Sequence, residues 1–316
     1  MAKSTPKNPK LWAATKAAAK QKFDVYPCVP LNSLAVTPEG LATCEELQDS
    51  LAQGIRKFVL AYDIGTDHLV WSKLVQVHTF DEAPTVEMYK KTGFSLVCTP
   101  GHSWVVEREL STGGKPGPKG TPGIRFLDRQ LILTENLNTH MDLVWCGRPL
   151  AGSGFEGKSW HKHQDWVSAV LEMTPDQREV FLASAIIYDG CDQGESAIRD
   201  GRTFGFTQKN LNHYYAAVLA AFCNGYYVSM YQKTEDIKGA TLIRGKRTHN
   251  TQNLHVRPAL TQPVWCPETE HGTWVMLQDK VVCVTGNSAY ANAWAAKEYK
   301  KKGGTWGGAD NRVKKK

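Results

Sequence analysis

Three things are scarce in this 316-residue chain. No window reaches the roughly 18 consecutive apolar residues that a membrane-spanning helix needs. The Lys/Ala-rich start holds no signal-peptide core. The sequence therefore predicts an intracellular, cytoplasmic protein with no membrane partner. No pair of Cys-x-x-Cys motifs occurs among the eight cysteines, which argues against a structural zinc site, and disulfides are disfavoured in that compartment. Acidic residues are nearly missing from both ends. Residues 1–27 hold six Lys against Asp24, and residues 288–316 hold eight Lys/Arg against Glu298 and Asp310. The ends together carry a net +11, whereas residues 28–287, with 24 basic and 28 acidic side chains, carry −4. All the cysteines lie in that acidic middle. The overall charge of +7 thus conceals two different compositions.

What is present is a globular composition, 41% hydrophobic and 22% charged, long enough for two compact domains. Residues 1–27 form a basic segment with an Ala/Lys helical pattern at Leu11–Lys20. From 28 to 110 the pattern is of short strands between turn residues: Phe58–Tyr62, Leu69–Val77, Thr85–Tyr89 and Phe94–Cys98. A Gly/Pro-rich stretch, 111–125, reads as a linker. Residues 126–258 read as an α+β module, with helical patterns at Pro175–Tyr188 and Leu211–Cys223. Residues 259–287 return to short β runs, and 288–316 form a second basic tail. The organisation is nested: a mostly β unit split by an α+β insert, itself set inside a basic protein with helical or flexible termini.

The run opening Cys28-Val-Pro-Leu-Asn-Ser-Leu34, the block Thr99-Pro-Gly-His102, and the closing blocks Trp265-Cys-Pro-Glu-Thr-Glu-His271 and Val281-Val-Cys-Val-Thr-Gly-Asn-Ser288 resemble, in order and spacing, the motifs of inteins, the protein-splicing elements of the Hint fold. The resemblance extends over about 150 residues. Joining the flanks gives Lys22-Phe-Asp-Val-Tyr-Pro27 followed by Ser288-Ala-Tyr-Ala-Asn-Ala-Trp294, one continuous basic sequence of 56 residues that resembles a small basic phage protein. The excised piece would have 260 residues.

The resemblance implies a closed, horseshoe-like β fold and cofactor-free acyl transfer within one chain. The Cys28 thiol, as thiolate, attacks the Pro27 carbonyl and converts the amide to a thioester. His102 protonates the departing nitrogen, and Thr99 serves the developing oxyanion. Ser288 then takes over the acyl group as a branched ester. Asn287 cyclises and frees the intein, and an oxygen-to-nitrogen shift leaves a Pro27–Ser288 peptide. Three positions depart from the pattern. Gly286 stands where a His usually assists cyclisation, which makes His271 the candidate substitute. Cys266 stands where many inteins have a coupling Asp, and either a chemical role or plain burial fits it. Pro27 before the nucleophile restricts how its peptide can twist.

Within the insert, Leu182-Ala-Ser-Ala-Ile-Ile-Tyr-Asp-Gly190 keeps five of nine positions of the LAGLIDADG motif of homing endonucleases. That resemblance implies Asp189 as a Mg²⁺ ligand beside Gly190, with the metal activating water against a DNA phosphate. Double-stranded DNA of the uninterrupted host gene would be the partner, and Lys238, Arg244, Lys246 and Arg247 the candidate phosphate contacts. With only one motif present, the insert would pair as a homodimer or be a relic. Trp160-His-Lys-His163 reads as a solvated loop. The leading expectation is a self-splicing precursor acting on its own flanks. The alternatives are a Mg²⁺-dependent DNA endonuclease as the main activity, or an inert basic nucleic-acid-binding protein.

Overall fold

The computed structural model describes residues 5–11, 13–15, 28–91, 93–111, 125–155, 165–189, 203–287 and 299–307. Along these the chain forms β1 (Thr5–Pro6), β2 (Val29–Pro30), β3 (Leu34–Thr37), β4 (Gly40–Ala42), α1 (Cys44–Ala52), β5 (Phe58–Asp63), β6 (His68–Ala83), β7 (Val86–Tyr89), β8 (Ser95–Cys98), β9 (Ser103–Ser111), β10 (Arg125–Leu133) and β11 (Asp142–Val144). Then follow α2 (Trp166–Glu172), α3 (Pro175–Asp189), β12 (Thr203–Gln208), α4 (Leu211–Cys223), β13 (Tyr227–Gln232), β14 (Lys238–Ile243), β15 (Thr248–Asn250), β16 (His255–Pro258), β17 (Gln262–Thr269), β18 (Thr273–Gln278), β19 (Val281–Gly286) and β20 (Trp306–Gly307). The fold is mostly β. None of the described helices is long and apolar enough to cross a membrane.

Antiparallel ladders bring the two ends of the acidic middle together. One four-stranded sheet has the order β2-β17-β6-β5, with Val29 opposite Trp265, so Cys28 enters next to the strand that carries Cys266. A second has the order β19-β18-β3-β4, and its β19 is buried along its whole length up to Asn287. The hairpin β18-β19 pairs Thr273 with Gly286. Unbroken apolar runs such as Val281-Val-Cys-Val284 suit strands covered on both faces.

Three expectations about organisation are corrected. The segment 28–110 is not purely β, because α1 interrupts it. The signal was Thr43-Cys-Glu-Glu46, a capping box in which Thr43 Oγ1 accepts the Glu46 N–H (3.2 Å) and the Glu46 carboxylate accepts the Thr43 N–H (2.8 Å). The Gly/Pro-rich stretch is not a boundary between domains. β9 and β10 pair along their whole lengths, from Ser103 opposite Leu133 to Ser111 opposite Arg125, so residues 112–124, which lie outside the described residues, connect two strands of one hairpin. The α+β module is also narrower than 126–258. β10, β11 and β15 share a sheet with β9, and β16 pairs with β7, so what stands apart is α2, α3, α4 and the sheet β12-β14-β13.

That unit does not have a core of its own. One cluster of buried side chains runs from Val36, Leu60 and Leu69 of the β sheets through Val275 and Val284 to Val170, Leu182, Val218 and Phe222 of the helices. Helix α4 is buried at every position from Ala216 to Cys223, as expected for a helix apolar all round. Arg178 of α3, fully buried, spends all five guanidinium donors inside this unit. Its Nε reaches the Val170 carbonyl (3.1 Å), Nη1 the Cys223 carbonyl (3.0 Å) and Asn224 Oδ1 (2.9 Å), and Nη2 the carbonyls of Leu150 (2.8 Å) and Met173 (2.7 Å). It satisfies carbonyls at the C-terminal ends of α2 and α4, where the helix dipoles favour a cation.

A second polar junction ties the β5-β6 turn to β10 and to the segments beside β11 and β15. Asp67, at the β5-β6 turn with φ +65°, accepts from Tyr62 Oη (2.9 Å), Arg247 Nη1 (2.7 Å), Arg148 Nε (3.1 Å) and Arg129 Nη2 (3.2 Å). Burial works to raise its pKa, but the hydrogen bonds and charges of these partners prevail and hold the carboxyl below its ordinary value.

The basic ends meet as well. β1 pairs with β20, Thr5 opposite Gly307, the Lys7 N–H donates to the Thr305 carbonyl (2.9 Å), and the buried Tyr299 hydroxyl accepts the Asn8 N–H (2.9 Å) and donates to Thr305 (3.0 Å). The helical pattern at Leu11–Lys20 lies mostly outside the described residues.

Candidate active site

The loop between β8 and β9, Thr99–Ser103, touches both ends of the acidic middle. Its tight turn closes with the His102 N–H donating to the Thr99 carbonyl (3.0 Å). At the Cys28 side the contact is reciprocal: Thr99 Oγ1 accepts the Cys28 N–H (3.0 Å), and the Thr99 N–H donates to the Cys28 carbonyl (3.0 Å). The described contact of Thr99 is thus with the nitrogen of the 27–28 peptide, whereas the sequence had suggested its oxyanion. Pro27 itself lies outside the described residues.

Cys28 is fully buried among Ala83, Val264, Cys266 and the partly buried Phe80. Burial, and after it hydrogen bonding with Cys266, pushes its thiol well above the usual range. Burial thus favours the thiol form of Cys28, because a charge in this apolar pocket would be poorly solvated. Attack must be accompanied by loss of the proton. Cys266, whose role the sequence left open, is the side chain whose sulfur adjoins that thiol.

At the other end Asn287 is fully buried. Its N–H donates to the Gly272 carbonyl (3.1 Å), and its Nδ2 donates to the Thr269 carbonyl (3.3 Å) and Thr269 Oγ1 (3.2 Å). Ser103 Oγ donates to the Asn287 carbonyl oxygen (3.3 Å). His102 Nε2 meets Thr285 Oγ1, either of which can supply the proton, and Thr285 Oγ1 also approaches the Ser103 carbonyl (3.3 Å). Trp104 packs edge-on against the His102 ring (centroids 4.7 Å apart), and Thr134 fixes the loop by donating from both its N–H (2.8 Å) and Oγ1 (3.1 Å) to the His102 carbonyl. Thr99 and Ser103, four residues apart, thus contact positions 28 and 287, which are 259 apart in sequence.

No protein-family model matches the chain, and no curated protein matches it in sequence. Several solved structures are similar to it. A GSH-linked, splice-inactive variant of the AceL NrdHF class 3 split intein has 7% identity and a TM-score of 0.38, over 82% of this chain and 97% of that one. A DnaB intein from Synechocystis sp. PCC 6803 has 7% identity and a TM-score of 0.34, over 83% and 98%. The transcription factor IIB Mvu mini-intein has 8% identity and a TM-score of 0.34, over 83% and 99%. All three are inteins.

His271, the sequence candidate for assisting Asn287, lies in the turn that cradles it, one residue from Gly272. Its described ring contact is nevertheless with Ser72, Nδ1 to Oγ at 2.8 Å. The residues that reach Asn287 are Ser103, Thr269 and Gly272, none of which the sequence reading singled out. The Ser following the Thr-x-x-His block was the one available signal. Ser288 lies outside the described residues.

In the helical unit, α3 ends at Asp189, whose side chain lies outside what the structure describes, as do Gly190 and Trp160–His163. Among the described residues no group of three or more His, Cys, Asp or Glu side chains could hold a metal. The four candidate DNA contacts all have partners within the protein. Lys238 Nζ donates to Tyr215 Oη (3.0 Å), Arg244 pairs with Glu179 (2.5 Å), Lys246 lies over the Tyr227 ring (4.1 Å from its centroid), and Arg247 is bidentate to Asp67. Arg247 is thereby tied to the buried Asp67 carboxylate.

Proposed function

We propose that the chain is a self-splicing precursor that excises residues 28–287 and joins Pro27 to Ser288. The observation that carries this reading is the single loop Thr99–Ser103 hydrogen-bonded to Cys28 on one side and to Asn287 on the other. Folding has already met the entropic cost of bringing the two ends together, so each attack becomes local. In the first step the Cys28 sulfur bonds to the Pro27 carbonyl carbon and the 27–28 C–N bond breaks. Thr99 holds the nitrogen that departs, and His102, packed in the same loop, is the group suited to deliver its proton. Ser288 displaces Cys28 to give the branched ester. The Asn287 side-chain amide then attacks its own carbonyl and releases the 287–288 bond, and the ester rearranges to a peptide. The pairing of β1 with β20 supports the host side of the reading, because the two flanks already contact each other across the intervening residues.

Mass spectrometry of the expressed chain tests the reading. A 56-residue joined product and a 260-residue fragment are expected, both absent in Cys28→Ala. A 316-residue chain that stays intact on prolonged incubation would overturn it.

DNA cleavage by the helical unit is a separate proposal. The exposed Val180 and Ile187 on α3 are compatible with a helix awaiting a second copy. Mg²⁺-dependent cutting of the DNA encoding the uninterrupted host sequence, lost in Asp189→Asn, is its expected result, and a purified dimer that leaves that DNA whole refutes it.

A further inference from the structure

Gly286 occupies the position at which the intein pattern carries a histidine, and the structure has no room for a side chain there. A Cβ on residue 286 would overlap the Ser103 hydroxyl, stand 2.8 Å from Leu131 Cδ2 and 2.9 Å from the Ser103 carbonyl oxygen. The space is filled by a hydroxyl that is itself fully buried and donates to the Asn287 carbonyl oxygen at 3.3 Å. That oxygen belongs to the carbonyl the Asn287 side chain must attack. On the other side the nucleophile is also held. Asn287 Nδ2 donates to two oxygens of Thr269, and the Thr269 hydroxyl spends its own proton on the Thr273 carbonyl (2.7 Å), which leaves its lone pairs for the amide.

We propose that Ser103 is a catalytic residue for Asn287 cyclisation, its hydroxyl stabilising the oxyanion in the place of a histidine that Gly286 excludes. This rests on the splicing reading and adds a residue to it. As the Asn287 Nδ2 bonds to the carbonyl carbon, the carbonyl electron pair moves onto the oxygen facing Ser103. The collapse of that intermediate restores the carbonyl, breaks the C–N bond to residue 288 and leaves a succinimide. One of the two Nδ2 hydrogens ends, as a proton, on the departing amine, and Ser103 is unchanged. A hydrogen bond 3.3 Å long before reaction strengthens as negative charge develops, which is the condition for lowering a barrier rather than merely binding the ground state.

Cleavage at 287–288 in a Cys28→Ala background isolates this step from thioester formation. Adding Ser103→Ala there is expected to slow cleavage roughly 100- to 1,000-fold, in line with the loss of one oxyanion donor. Thiol-induced cleavage at 27–28 in the Cys28-bearing chain should change far less. Ser103→Thr and Ser103→Val supply a pair of nearly equal volume that differs in the hydroxyl, so the comparison holds even if Ser103→Ala fails to fold. The Thr variant should cleave at least tenfold faster than the Val variant. Equal rates for the two, or a parallel loss at both junctions in Ser103→Ala, overturn the role of Ser103 and leave the splicing reading standing. A parent chain that cleaves at neither junction overturns both.

Discussion

At the residue scale the chemistry rests on burial. Cys28, Thr99, His102, Ser103 and Asn287 are all fully buried, so each polar group there has to find a partner in the protein. The exclusion of water strengthens the hydrogen bonds among them and also disfavours charge. His249 shows the same effect without any catalytic duty. It is enclosed by Phe94, Trp145 and Tyr227, bonds the Tyr227 hydroxyl through Nδ1 (2.9 Å), and has no described partner for Nε2. Burial, followed by the charges of Lys90 and Lys246, pushes its pKa down to about 3. The folded protein therefore keeps His249 neutral while the unfolded chain takes up a proton below about pH 6.5. Stability from this group is full above that pH and is lost as pH falls, at roughly 1.4 kcal/mol per unit below about pH 6. Urea midpoints at pH 7 and pH 5 should show a clear drop for the native chain and a smaller one for His249→Phe. Equal drops would remove His249 from the account.

At the element scale the helices Pro175–Asp189 and Leu211–Cys223 were legible nearly to the residue, because their apolar spacing and the Asn210 and Thr174 starts agree with the burial they acquire. Most strands were legible too. The helix Cys44–Ala52 was missed although its capping box is plain in the sequence, since only two of its nine residues, Cys44 and Leu47, are buried and its apolar stripe is thin. What joins the helices could not be read at all. Nothing in the local sequence pattern marks Arg178, and only the packing of α2, α3 and α4 shows that it is buried with five acceptors. Arg178→Met keeps much of the bulk and removes every donor, leaving buried carbonyls unpaired. A loss of about 3 kcal/mol or more in unfolding free energy is expected. A change below 1 kcal/mol would mean the carbonyls find other donors.

At the scale of the whole molecule, the charge map separates a middle from two ends, and residues of the two ends pair with each other. It could not show that the helical unit and the β sheets share one hydrophobic cluster. An insert with its own core should be removable, whereas this one covers Val36, Leu60 and Val275. Replacing residues 165–243 by a short Gly/Ser bridge is therefore expected to give a chain that aggregates or loses its near-ultraviolet circular dichroism. A soluble, cooperatively folded product would show that the β sheets close without the helices.

The sequence by itself determined the order along the chain of Cys28, the Thr99–His102 block and Asn287, because these are local patterns, and it determined the two compositions, because charge is additive. Which hydroxyl faces the Asn287 carbonyl, that burial raises the pKa of the Cys28 thiol, and that Gly286 has no space for a side chain were decided only by tertiary structure. Each depends on atoms brought close across more than a hundred residues of chain, and hydrogen bonding and desolvation act over a few ångströms of space, whatever the separation in sequence.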